Sequence, residues 1–143
     1  MTFRETIRKD LIAHEGMILH AYNDHLGFLT LGVGRLIDER RGGGITEKEA
    51  LYLLDNDIDR VSMTMTDRLP WLPLAPENVR RAVLNMAFQL GVGGLLKFRN
   101  MLAALEAADY EKAAREALDS KWARQTPGRA REVANWIRSA ANG

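Results

Sequence analysis

The hydrophobic period of this chain changes between Gly16 and Gly34, and that change constrains the fold more than any other feature. Before it, Phe3, Ile7, Leu11 and Ile12 fall on one helical stripe. Thr2 and Glu5 have the spacing of a capping box that would start this helix, and Gly16 is a suitable stop. Residues 17–22 are then rich in strand formers, residues 23–27 (NDHLG) supply a turn, and residues 28–33 are strand-like again. Gly32 and Gly34 leave no side chain there, which suits a close backbone approach to a ligand. From Thr46 onward the pattern is helical. One hairpin set among helices predicts an α+β, mostly helical fold.

The helices are marked by their caps and breakers. Residues 38–44 are polar and end in three glycines, a surface loop without the Lys-Ser/Thr ending of a phosphate loop. Thr46 and Glu49 form a second capping box, ahead of a connecting helix near residues 46–60 with Leu51, Leu54, Ile58 and Val61 on one face. Asp55, Asp57 and Asp59 scatter around that helix, as a solvated face does, rather than converging on a metal. Met63 and Met65 read as linker packing, and RLPWLPLAP (68–76) as a rigid connector. Val79, Ala82, Val83, Met86, Ala87 and Leu90 then cover a wide arc, which predicts the buried centre of a helical bundle.

Gly91, Gly93 and Gly94 predict a break, followed by a helix over residues 95–107 with Leu95, Phe98, Met101, Leu102 and Leu105 inward. Asp109 suits the cap of the next helix, and Thr126-Pro127 the start of a last one with Val133, Trp136 and Ile137 inside. The expected whole is a single domain, 1–143. It comprises a small hairpin-bearing lobe at about residues 14–60 and a helical lobe at about 61–143 that includes the N-terminal helix 2–13. A cleft between lobes is a usual place for a ligand.

Composition narrows the function classes. There is no cysteine, which excludes disulfides, thiolate metal sites and a Cys nucleophile. No apolar run approaches the ~20 residues of a membrane span. The N-terminal segment lacks the apolar core of a signal peptide, so any export is expected to depend on something else. His14, His20 and His25 lack the paired spacing of a zinc site. Residues 1–62 carry 8 Lys/Arg against 11 Asp/Glu, and residues 63–143 carry 12 against 8. Five bases (Lys121, Arg124, Arg129, Arg131 and Arg138) against Glu132 suit a solvated helix face better than an anion site, and no nucleic-acid motif accompanies them.

Three residues carry the chemistry. Glu15 lies at a helix end, where carbonyls and apolar walls would disfavour its ionised form, as suits a general acid. Asp24 falls on the turn and Thr30 on the returning strand. Two acids flanking a cleft are the minimum for cutting a glycosidic bond. The spacing permits such a pair and equally permits two unrelated surface acids. Trp71, Trp122 and Trp136 suit either sugar stacking or burial, with burial at least as fitting for the first and last.

Four segments settle what spacing leaves open: HEGMILHAYNDHLGFLTLGVGRL, GITEKEALYLLDNDIDRV, RRAVLNMAFQLGVGGLLKFRNML and KWARQTPGRAREV. In this order, and over nearly the whole chain, they resemble the phage-type (T-even) lysozymes of glycoside hydrolase family 24. The resemblance implies a two-lobed lysozyme-like fold and a muramidase. Such an enzyme cleaves the β-1,4 bond between N-acetylmuramic acid and N-acetylglucosamine with inversion, and uses no metal or cofactor. It implies that Glu15 is the general acid, that Asp24 positions and activates water, and that Thr30 lies near that water. Leu36, Phe88 and Gln89 match residues lining the saccharide cleft. Lys121 replaces a cleft arginine, and Arg129 matches an arginine that approaches the glutamate.

Other departures are His14, in place of an aspartate, and a shorter loop at residues 37–45. Arg35 stands where a T-even member has a histidine, and an Arg35–Asp57 pair is the expected substitute. The implied partner is bacterial peptidoglycan, met by a monomer without nucleic acid or stable membrane insertion. The implied setting is a phage or prophage endolysin, held in the host cytoplasm until a separate holin-type pore former releases it, or a lysozyme domain carried by a phage tail. The alternatives are a catalytically idle wall-binding or partner-binding domain, and a lytic transglycosylase or chitinase. Asp24 argues against the transglycosylase, which needs no water-positioning aspartate.

Overall fold

Reciprocal hydrogen bonds start the first helix: Glu5 N donates to Thr2 Oγ1 at 3.1 Å, and Thr2 N donates to Glu5 Oε2 at 2.9 Å. Together they satisfy amides that a first turn leaves open. The computed structural model describes residues 2–38 and 42–142. It runs this helix, α1, over Phe3–Glu15 and ends it at Gly16, whose amide donates to Ile12 O. Phe3, Ile7 and Leu11 share a stripe as their spacing predicts, yet all three are exposed and α1 buries no residue.

The hairpin is a three-stranded antiparallel sheet in the order β1 (Ile18–Asn23), β2 (Leu29–Gly32), β3 (Arg35–Leu36). Tyr22 pairs with Thr30 and Asn23 with Leu29, while on the other edge of β2 Thr30 pairs with Leu36 and Leu31 with Arg35. The second strand is therefore shorter than the run over residues 28–33 predicted, because the chain turns at Val33-Gly34 and comes back as β3. Two residues are too few to show a period of two. Of the polar loop expected at 38–44, residues 39–41 lie outside the described residues.

The second capping box also forms, with Glu49 N donating to Thr46 Oγ1 at 3.1 Å and Thr46 N to Glu49 Oε1 at 2.9 Å. It opens α2 (Glu47–Arg68). This helix outruns its expected end near residue 60, since no glycine or proline interrupts it before Pro70. Met65 is consequently a fully buried helix residue and not linker packing, while Met63 is exposed. The expected Arg35–Asp57 pair is absent. Arg35 Nη1 instead donates to Glu49 Oε1 at 2.8 Å and to Gly44 O at 3.3 Å, and Asp57 pairs with Arg60 at 2.7 Å. Asp57 lies eight residues along α2 from Glu49, about 12 Å at 1.5 Å per residue, whereas Glu49 is already fixed by the cap. Arg35, followed by Thr46, holds the Glu49 carboxyl down at about 2, against an ordinary 4.5.

The described chain divides into two compact units, Met1–Leu53 and Leu54–Gly143. All of the buried hydrophobic residues, from Met65 onward, belong to the second. There α3 (Glu77–Leu96) buries Val79, Ala82, Val83, Met86 and Ala87, as its wide apolar arc predicts. It also continues through Gly93 and Gly94, where a break was expected. Only Gly91 leaves helical geometry, at φ 77° and ψ 158°, a conformation open to glycine that kinks the helix. Leu95 thus belongs to α3, and α4 begins later (Arg99–Glu106).

Asp109 caps α5 (Tyr110–Leu118) by accepting Lys112 N. Ser120 caps a five-residue α6 (Lys121–Gln125) that no periodicity announces. Before α7 (Pro127–Ser139), Thr126 is not the side-chain cap its sequence suggests, because its hydroxyl donates back to Trp122 O at 3.0 Å. Helix α7 packs on α3, α5 and α6 and buries Val133, Ala134 and Ile137.

Two outcomes follow. Truncating Met86 to Ala at the centre of α3 should lower unfolding free energy by ~2–5 kcal/mol, read from urea denaturation; a loss well below that range would contradict the packed core. For Glu49 the folded carboxyl titrates below the unfolded one, so its stabilising effect is present above pH 4.5 and is lost as pH falls toward about 2. The stability difference between wild type and Glu49→Gln should therefore be full at neutral pH and vanish at the acid end. A difference independent of pH would exclude the Arg35 pairing as its source.

Candidate active site

Glu15 is the last residue of α1 and is exposed. The N-terminal unit therefore does not supply the apolar wall expected around it. What it rests on is the β2–β3 turn. A Cβ placed on Gly34 would lie 3.2 Å from Glu15 Oε2 and 3.4 Å from its Cδ, and Gly34 has φ +73°. Glycine is required here twice, by the positive φ and by the carboxyl group lying against it.

The other acid sits at the opposite end of β2. Asp24 N donates to Phe28 O at 2.8 Å and Gly27 N to Asp24 O at 2.9 Å, closing the β1–β2 turn. Asp24 Oδ1 accepts the amides of Leu26 at 2.9 Å and Phe28 at 2.8 Å. Such local side-chain to backbone bonds are why aspartate favours turns, and here they fix the carboxylate's position. Between the two ends, Thr30 is 2% exposed and gives its hydroxyl proton to Phe28 O at 2.9 Å. Its oxygen keeps acceptor capacity. The strand separating the two acid-bearing turns spans ~10 Å at ~3.3 Å per residue. Leu36, half-buried, is Thr30's neighbour on β3. A groove of about 380 Å³ beside this sheet, lined by Val33, Arg35, Ile45, Glu49 and Tyr52 among others, includes none of these four residues.

The remaining candidates lie in the C-terminal unit. Phe88 is 44% exposed on α3, Gln89 follows it, and Lys121 is exposed at the start of α6. Trp122 Nε1 donates to Gln89 Oε1 at 2.8 Å. Arg129 Nε donates to Asn85 Oδ1 at 2.9 Å and its Nη2 to Asn85 O at 3.1 Å. Asn85 and Gln89 are four apart, so they share a helix face. The segments NMAFQLG and WARQTPGRA are thereby clasped to each other.

Asn85 was not singled out from the sequence, though its spacing from Gln89 was a usable signal. Trp122 is buried with its ring edge-on to Phe98, centroids 6.0 Å apart, and so presents no open face to a sugar. Trp71 and Trp136 are half-buried, the latter under Arg81 at 3.8 Å. Among the described residues no three His, Asp or Glu side chains group as metal ligands.

The chain as a whole has counterparts among known proteins. The chain is 34% identical to the pre-baseplate central spike protein Gp5 of Enterobacteria phage T4, over 93% of its own length but 27% of that protein. It is 30% identical to the probable T4-type lysozyme 1 of Dictyostelium discoideum, over 90% of this chain and 92% of that one. It is 29% identical to the peptidoglycan hydrolase gp36 of Pseudomonas phage phiKMV, over 86% of this chain and 14% of that protein. The chain thus spans a minor part of the two phage proteins and almost the whole of the amoebal one. Residues 12–137 match the family described as Phage lysozyme, and this chain belongs to that family.

Proposed function

We propose that this lysozyme-type peptidoglycan hydrolase cleaves the β-1,4 bond between N-acetylmuramic acid and N-acetylglucosamine with inversion at the anomeric carbon. The observation that carries the reading is the placement of Glu15 and Asp24 at opposite ends of β2, with Thr30 between them. Inversion needs room for a water between acid and base, ~6.5–9.5 Å between carboxyls, and a strand of this length supports such a gap. In this reading Glu15 protonates the departing glycosidic oxygen. Asp24, held by the Leu26 and Phe28 amides, orients a water and takes its proton as the water attacks from the other face. Thr30 offers that water an acceptor.

The acid–water–base chemistry needs neither metal nor cofactor. Leu36, Phe88, Gln89, Lys121 and Arg129 contact the saccharide, and both units act as one lysozyme domain. No helix among the described residues is long and apolar enough to cross a membrane. Our reading is a monomeric phage or prophage endolysin that waits in the host cytoplasm for a holin-type pore former. The two larger phage relatives favour the second setting, a wall-cutting domain carried on a phage particle.

The test is clearing of outer-membrane-permeabilised Gram-negative cells by wild type and by Glu15→Gln at equal concentration. The variant should be slower ~100-fold or more; equal clearing would end the assignment of Glu15, and no clearing by folded wild type would favour an idle binding domain. Mass spectrometry of the products should show hydrolysed reducing ends, whereas an anhydromuramyl end, one water lighter, would mean a transglycosylase. A second variant, Gly34→Ala, should displace the Glu15 carboxyl and lower kcat by ~10–100-fold with KM little changed. Unaltered kcat in a folded Gly34→Ala protein would show that the seat does not position the acid.

A further inference from the structure

The C-terminal unit carries a second hollow with a composition unlike its surroundings. A groove of about 520 Å³ is lined by Arg68, Trp71, Lys97, Arg99, Leu102 and Glu106 among others. Its volume lies within the ~300–1,000 Å³ of ligand clefts. Arg68 ends α2, Lys97 follows α3 and Arg99 begins α4, so three separate element ends bring cations to one place. Glu106 is the acid among the lining residues. Neither it nor any of the three cations forms a side-chain hydrogen bond or salt bridge among the described residues. The groove's own lining carries a net charge of +2, in the half of the chain with the basic excess, and Lys97 and Arg99 also border an adjoining hollow that contains Glu116 and Asp119. Trp71 adds an indole that is half-buried and packed against the core, and therefore fixed.

Isolated surface cations normally just face water. Convergence on a hollow that also contains a fixed indole is a different situation. The cations suit carboxylates, and the ring suits the apolar face of a sugar. We propose that this groove is a second, non-catalytic binding site for a carboxylate-bearing glycan, the acidic strand of the wall substrate. The proposal rests on the wall-glycan reading above. Its effect is to hold the protein on the polymer between cuts, so that rebinding of the catalytic residues becomes a local event.

The test uses the full chain carrying Glu15→Gln, which binds without cutting, and its retention on purified peptidoglycan sacculi over a range of salt. Adding Arg68→Gln, Lys97→Gln and Arg99→Gln should weaken retention about tenfold, as loss of three exposed charge contacts together would, and flatten the salt dependence. With Glu15 restored, the same three substitutions should leave turnover of a short soluble substrate unchanged. Circular dichroism checks the fold, and Arg68→Lys with Arg99→Lys should keep retention.

In nuclear magnetic resonance titrations the Trp71 indole signal should move with a peptide-bearing, carboxylated muramyl oligosaccharide and not with an uncharged chitin oligosaccharide. Undiminished retention of the folded triple variant would overturn the site. So would equal response to the uncharged sugar, or equal competition by polyglutamate. Retention is read without cleavage, so failure of wild type to cut the wall would sink the enzymatic reading while leaving the comparison of groove variants decisive.

Discussion

Pairing of β2 on both of its edges is the constraint on which the N-terminal unit depends. Among the described residues no hydrophobic side chain before Met65 is fully buried, and the one buried polar residue, Thr30, lies on that strand. Little apolar area is removed from water here, so the usual driving term is small. The unit is shaped instead by hydrogen bonds: the ladder, the Asp24 turn, the two capping boxes and the Arg35–Glu49 contact. Each such bond contributes only ~0.5–1.5 kcal/mol net, but each fixes direction as well as distance. The Arg35 contact fits this scheme, because it ties β3 to the first turn of α2 at a point where the cap already holds Glu49.

The C-terminal unit is held by the opposite means. Its helices bury a continuous cluster running from Met65 to Ala140, and polar bonds appear where two family segments meet. The Asn85–Arg129 and Gln89–Trp122 bonds give that packing a register that apolar contact alone leaves loose. Gln89 and Arg129 are thus bound into the helical framework whatever else they touch. A residue that matches a binding motif can be placed by the fold first and used by the ligand second.

Local signals were the legible ones. Thr2–Glu5 and Thr46–Glu49 need only residues three apart, and the α3 arc needs only its own period, so both could be read without tertiary knowledge. The misreadings come from elements too short to have a period and from choices made by contact. β3 has two residues and α6 five. Gly93 and Gly94 stay helical because packing outweighs a propensity difference of ~1 kcal/mol per glycine. Arg35 chose Glu49 over Asp57 because only one of them is within reach. For the candidate site, spacing alone left Glu15 and Asp24 as two ordinary acids, and family resemblance singled them out. The seat of Glu15 on Gly34 was hidden because nothing local in the GVG turn points to a side chain nineteen residues earlier.

These two modes of stabilisation bear on where a polymer should be gripped. A unit without a packed core opens at low free energy, since few buried contacts are lost when it does. Catalytic groups tolerate that only if the pull of a long substrate is taken elsewhere, because small displacements of an acid reduce rate steeply. The helical unit, with its buried alanines and fixed tryptophans, is the stiffer place to bear such a load. Convergent, unpaired cations beside Trp71 lie on that unit. In the proposed reading, charge recognition falls on the packed helices and proton transfer on the hydrogen-bonded turns, each where the property it requires is strongest.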